Sequence, residues 1–142
     1  MKPGDESGSL RGSFTMPSEV ASIPSCVDKL VQLLKSAGCL EDKQTDIEMA
    51  AFEALANAVI HGNREDASKR VHIHYHCRPG EDIAIVVKDE GQGFSPERVP
   101  DPTAPENIEA EHGRGILMMR AFMDEVRYEA NGTELHLRKK LR

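Results

Sequence analysis

The chain has 142 residues, of which 39% are hydrophobic, and carries a formal charge of -6. That length suits one domain, and the apolar share suffices to bury a core without disulfide or metal staples. The acidic balance, with no concentrated basic patch, excludes a general nucleic-acid binder and favours a protein or small-molecule partner. No run of about 18 apolar residues is present to span a membrane, and the start of the chain lacks the apolar stretch of a signal peptide, so a cytoplasmic protein is expected. Cys26, Cys39 and Cys77 are odd in number and follow no metal or redox spacing, which predicts reduced thiols.

Residues 1–12 are Gly-, Ser- and charge-rich without periodicity and are expected to form a flexible tail, with one domain over 13–142. Ser13 to Met16 suits a short strand that Pro17 interrupts. From Ser25 to Ala37, Val27, Leu30, Val31 and Leu34 recur at helical spacing, and Gly38 stands where a C-terminal cap glycine belongs. Glu41 to His61 predicts a longer helix with an apolar stripe of Ile47, Ala51, Ala54, Leu55, Ala58 and Val59, ended by Gly62-Asn63. Val71 to Cys77 alternates strictly, with His72, His74 and His76 on the polar side. Arg78-Pro79-Gly80-Glu81 then turns into an apolar strand, Ile83 to Lys88, that ends at Asp89. The proline-rich stretch 94–112 is long enough to be expected as a lid loop. Ile116, Met119, Phe122 and Met123 define a third amphipathic helix, and Val126–Ala130 and Thr133–Arg138 flank Asn131-Gly132 as a hairpin. Strand, helix, helix, two strands, lid, helix and two strands predict an α/β two-layer sandwich, a mainly antiparallel sheet with helices on one face.

Three stretches carry chemistry. Glu53 and Asn57 are one helical turn apart and share a face flanked by alanines, which leaves room for a ligand. An Asn carbonyl suits Mg²⁺ that already holds phosphate oxygens, and a nearby carboxylate can accept a hydroxyl proton. Asp89 ends a strand, with Gly91 and Gly93 behind it where side chains would obstruct a ligand; a buried carboxylate there can accept a hydrogen bond from an exocyclic amine such as that of adenine. Gly113 and Gly115 precede the third helix, whose unpaired N–H groups form a natural phosphate site, and Arg114 between them can meet phosphate. Taken singly, these stretches also read as a solvated helix face, a strand-ending turn and flexible glycines; their conjunction in this order describes a pocket for a magnesium-bound adenine nucleotide. The three histidines on one strand face point in parallel from positions ~6.5–7 Å apart, which favours a solvent- or dimer-facing surface over a metal site.

In this order, EALANAVIHGN (53–63), DEGQGF (89–94) and HGRGILMMRAFMDEVRY (112–128) resemble the boxes of the ATP-binding fold shared by gyrase, Hsp90, histidine kinases and MutL, the GHKL or Bergerat-fold superfamily. Within it the wording is similar to the stand-alone anti-sigma-factor serine/threonine kinases of bacteria. The resemblance covers about residues 13 to 142. It implies that Asn57 ligates Mg²⁺, Glu53 is the general base, Asp89 with Gly91 and Gly93 binds adenine, and Gly113 and Gly115 hold phosphates beneath the lid. It further implies ATP as phosphate donor, a sigma factor as one partner and a small antagonist protein, phosphorylated on serine or threonine, as the other. A non-catalytic module that uses ATP, or only the fold, to sequester a regulator stays open as an alternative, as does a homodimer through the histidine-bearing face.

Overall fold

The computed structural model describes residues 8–92 and 111–141, with side chains throughout except at 111–115. Strand β1, Leu10–Pro17, lies antiparallel to β2, Arg70–Arg78, in a register running from Leu10↔Cys77 to Pro17↔Arg70. It therefore begins three residues ahead of the expected Ser13, inside the stretch read as a tail. Gly12 masked it in the sequence, because glycine weakens a strand considered alone. Here Gly12 faces Tyr75 across the pair, and a Cβ at that position would run into the tyrosine ring. The small residue makes room for the aromatic one, which also packs at a tilt against Phe14 with ring centroids 6.2 Å apart.

A short 3₁₀ turn, Val20–Ser22, leads into helix α1, Ile23–Ser36, with Pro24 in its first turn. Pro is tolerated there because the first N–H groups have no helical partner. Gly38 ends the helix at φ 72°: its N–H donates to Lys35 O, and the Cys39 N–H reaches back to Leu34 O at 3.0 Å, the paired bonds of a Schellman cap. Helix α2 covers Gln44–Ala56 and runs on without a break as a π-helical turn, Asn57–Gly62. It starts three residues after the expected Glu41, whose φ of 49° is incompatible with a helix. Strand β3 spans Asp82–Lys88. Helix α3 spans Glu111–Phe122, and the hairpin consists of β4, Glu125–Glu129, and β5, Glu134–Lys140. Of the expected lid, 94–110 lies outside the described residues, and Glu111 and His112 belong to α3 instead of a loop.

The sheet order is β1-β2-β3-β5-β4, every neighbouring pair antiparallel, giving the α/β two-layer architecture expected from the element order. Val71, Ile73, Tyr75 and Cys77 of β2, Ile83, Ile85 and Val87 of β3, and Leu135 and Leu137 of β5 form the buried face. Ile23, Leu30 and Leu34 of α1, Ile47 and Leu55 of α2 and Met119 of α3 cover it, each side chain contributing roughly 1.5–3 kcal/mol by burial. Of the three methionines expected in the core, Met118, Met119 and Met123, the last two are buried, whereas Met118 points outward at 37% exposure.

The far face of the sheet carries His72, His74 and His76. Partial desolvation, with Lys88 near His74 and Arg11 near His76, holds the pKa of these two imidazoles below the ordinary histidine value. At one end of the sheet the buried Asp82 accepts two hydrogen bonds from Arg78 and one from Arg138.

The cysteine expectation needs correction. Cys39 and Cys77 form a disulfide with Cα atoms 6.3 Å apart, and Cys26 alone is free. Counting cysteines could not reveal this, because the α1 cap is what turns Cys39 down onto the core face of β2. Cys26 is buried, and the loss of solvent pushes its thiol up to about 11.

Candidate functional site

The site grows from the end of α2. The Asn57 N–H donates back to Glu53 O, so α-helical spacing survives between these two residues and both side chains emerge, half-buried, from one face. Ala50, Ala54 and Ala58 beside them are buried and small. The Asn57 side-chain nitrogen is buried and has no hydrogen-bond partner among the described residues. A buried orphan of this kind costs about 1–3 kcal/mol, and amide nitrogen and oxygen can exchange places by a flip. Asn57 thus holds polar capacity that the fold itself does not use.

Beyond Asn57 the helix widens, and the Asn63 N–H bonds to Ala58 O, five residues back, at 2.8 Å. Single π turns of this kind occur preferentially at functional sites. The widening brings Gly62 against the loop that follows β3. A Cβ on Gly62 would collide with the Asp89 carboxylate, and a Cβ on Gly91 would collide with the Gly62 carbonyl. Three residues from two distant elements interlock here, and two of them must be glycine for steric reasons.

Asp89 is held from two sides. Its N–H donates to Thr133 O at 2.9 Å, and its Oδ1 accepts the Gly91 N–H at 2.8 Å. Burial pushes its carboxyl pKa above the ordinary value, with the Gly91 N–H and the Lys69 charge pulling the other way. Tyr128 of β4 is nearby: burial, then the Asp89 charge, push its hydroxyl up to about 12. The carboxylate is therefore a pre-positioned acceptor in partly dehydrated surroundings, suited to an amine donor.

Four of the sequence-predicted residues, Glu53, Asn57, Asp89 and Gly91, belong to this continuous assembly, joined through the Asn57–Gly62 turn. Gly93 lies outside the described residues. Gly113, Arg114 and Gly115 do not precede α3 as expected but lie within its described span, Glu111–Phe122. Helix α3 packs against α2.

Sequence reasoning overlooked three members. Gly62 and Asn63 read simply as a helix end, and Thr133 as a strand residue. The signal for Gly62 was its place after His61, where an ordinary helix cap could also stand; only the approach of Asp89 distinguishes the two. The buried Asn63 donates from Nδ2 to Ser18 Oγ and to Arg70 O, and its Oδ1 accepts the Glu90 N–H at 2.7 Å. No short-range pattern announces such a hub.

The donor set fits a magnesium nucleotide. Asn57 offers a neutral oxygen ligand, Glu53 a carboxylate one turn away, Asp89 an acceptor for a base amine, and the Gly62–Gly91 contact a floor with no side chains. The other metal-like group among the described residues, Glu129, Glu134 and His136 on the hairpin, is internally charge-balanced: Arg127 pairs with Glu129 and Lys88 with Glu134. His72 is engaged by Glu90 at 2.7 Å.

Comparison with known proteins agrees with this geometry. Residues 16–139 match the family model described as "Histidine kinase-like ATPase domain". An anti-sigma F factor of Clostridium novyi (strain NT) is 36% identical over 107 residues, 69% of this chain and 71% of that protein. One from Clostridium perfringens (strain SM101 / Type A) is 39% identical over 105 residues, covering 70% and 74%, and one from Priestia megaterium is 32% identical over 106 residues, covering 70% and 71%. Among solved structures, a Mycobacterium tuberculosis chain containing RsbU and RsbW domains superposes with a TM-score of 0.62 at 18% identity, over 94% of this chain and 32% of that one, a likeness of fold. With a family match over residues 16–139 and anti-sigma F factors more than 30% identical over about 70% of its length, the chain belongs to the histidine kinase-like ATPase domain family, alongside the anti-sigma F factors.

Proposed function

We propose that this chain is an anti-sigma serine/threonine protein kinase: it binds MgATP, sequesters a sigma factor, and releases or retains it according to the phosphorylation of a small antagonist protein. The observation that carries the reading is the unsatisfied Asn57 amide one turn from Glu53, linked through the Asn57–Gly62 turn to an Asp89 carboxylate fixed against two obligatory glycines. The similarity to anti-sigma F factors supports the choice of partners.

In this reading Asp89 accepts a hydrogen bond from the adenine amine, Gly62 and Gly91 let the base approach the backbone, and the first N–H groups of α3, with Gly113, Arg114 and Gly115, receive phosphates. Gly93 extends the glycine floor. Asn57 Oδ1 would hold Mg²⁺, which would supply neutralisation of phosphate charge. Glu53 accepts the proton of the antagonist's hydroxyl while that oxygen forms its bond to the γ-phosphorus; the bond from the γ-phosphorus to the β–γ bridging oxygen breaks, and ADP departs with the bridging oxygen.

The test is transfer of labelled γ-phosphate to an antagonist protein encoded beside the gene, together with MgATP titration calorimetry. Wild type is expected to bind MgATP in preference to MgGTP and to label the antagonist. Glu53→Ala is expected to keep MgATP affinity within about threefold and lose at least 100-fold in transfer, whereas Asn57→Ala loses MgATP binding. MgATP binding without transfer by wild type sinks the kinase and leaves a nucleotide-dependent sequestering module. No nucleotide binding at all sinks both.

A further inference from the structure

Asn63 is buried to 1% exposure at the exit of the π turn, and its side chain joins three chain segments that are distant in sequence. Its two amide hydrogens go to Ser18 Oγ at 3.1 Å and to Arg70 O at 3.0 Å. Ser18, itself fully buried, follows β1, and Arg70 opens β2. The amide oxygen turns the other way and accepts the Glu90 N–H at 2.7 Å. Glu90 sits between Asp89 and Gly91, so this bond grips the middle of the loop that carries the candidate base-reading carboxylate.

Glu90 reinforces the same register from its own side chain. Its Oε1 accepts the Arg70 N–H at 3.0 Å, and its Oε2 meets His72 Nε2 at 2.7 Å. The start of β2 at Arg70 thus fixes Asn63 and Glu90 together, and the Asn63 oxygen is the link from the candidate nucleotide helix to the loop. Asp89 Oδ1 is committed to the Gly91 N–H, so the direction in which the carboxylate faces depends on where the Glu90 backbone is pinned.

We infer that Asn63 is a positioning residue for nucleobase selection: it touches no nucleotide, and it aims the Asp89 carboxylate by holding the Glu90 N–H. The inference rests on the proposed reading of Asp89 as the acceptor for the adenine amine. A side chain that merely braced the fold would weaken every nucleotide equally when removed. One that aims Asp89 affects only ligands bearing the amine.

The experiment compares, by calorimetry with Mg²⁺, ATP and purine riboside triphosphate, which lacks the exocyclic amine. Wild type is expected to prefer ATP by tenfold or more, since a hydrogen bond to a charged acceptor is lost with the analogue. In Asn63→Ala the preference is expected to fall to about twofold, through weaker ATP binding with analogue affinity within about twofold of wild type. Asn63→Asp keeps an acceptor for the Glu90 N–H while losing both donors, and is expected to restore most of the preference despite a lower Tm. Asn63→Ser, with a hydroxyl too short to reach Glu90, supplies the same loss of preference if the alanine variant does not fold. Equal weakening of both ligands in Asn63→Ala or Asn63→Ser, or an undiminished preference, overturns the inference while leaving the Asp89 reading intact. A wild type that does not distinguish the two ligands overturns the Asp89 reading, and this inference with it.

Discussion

At the scale of single residues, the site sets stability against function most clearly at Asp89. Burial raises its carboxyl pKa above the ordinary 3.8, so its contribution to stability is fully present below that value and is lost as pH rises through the raised value. At neutral pH the ionised group is therefore a cost to the nucleotide-free fold. Asp89→Asn keeps the acceptor for the Gly91 N–H and removes that charge, and is expected to raise the nucleotide-free Tm by roughly 1–3 °C, a range discounted for the solvated half of the side chain. Under the proposed function the same variant is expected to lose the Tm increase that MgATP would give wild type, because an amide oxygen is a weaker acceptor than a carboxylate. Thermal scans with and without nucleotide check both halves; a lower nucleotide-free Tm contradicts the account. Glu53, Asn57, Asp89 and Gly91 were readable as a group because their spacing follows helix and strand periods. Asn63 was not, because its partners at Ser18 and Glu90 lie 45 and 27 residues away.

At the scale of elements, differences between sequence expectation and structure fall at the ends. Periodicity specifies the middle of a helix or strand, where many residues agree; a terminus is decided by one or two hydrogen bonds. The hairpin is an example. Asn131-Gly132 predicts a two-residue turn, yet the loop extends over Ala130 to Thr133, and Ala130, Asn131 and Gly132 all take positive φ, at 52°, 57° and 84°. Ala130 is exposed, so its Cβ gives no packing in return for the left-handed backbone. Ala130→Gly is expected to stabilise the domain by about 0.5–1 kcal/mol, the relief of left-handed strain less the added freedom of glycine in the unfolded chain. Urea denaturation measures it, and a destabilised variant counts against the observed turn. The π turn at Asn57–Gly62 had no signal in the sequence, since α and π helices share residue preferences. The closeness of Gly62 to Asp89 defines where the widening occurs.

At the scale of the molecule, two devices join parts that periodicity treats separately. The Cys39–Cys77 disulfide ties the helical layer to β2. The Asp82 clamp ties Arg78 of β2 and Arg138 of β5 to the start of β3, and Arg138 also meets Glu125 of β4 at 3.3 Å, so four strands are held at one end. The Arg78 hydrogen bond, with help from Arg138, lowers the buried Asp82 carboxyl to about 2. Its contribution is fully present above the unfolded value near 3.8 and disappears as pH falls through about 2. Asp82→Asn is expected to cost about 1–2 kcal/mol at pH 7, a figure discounted for the partly exposed arginines. That difference from wild type should shrink below pH 3.8 and close near pH 2, as urea midpoints across that range will record. A pH-independent difference would place the cost in packing.

The sequence by itself determined the element order, the alternation that buries one face of the sheet, and the pairing of Glu53 with Asn57, because each depends on residues within a turn or strand of one another. Tertiary structure decided what requires two distant segments to meet: the Leu10 start of β1 opposite Cys77, the disulfide, the interlocked Gly62, Asp89 and Gly91, and the Asn63 bond to Glu90. The physical reason is the same throughout. Local patterns encode which face a side chain takes, whereas close approach depends on the packed geometry of neighbours that the linear spacing does not contain.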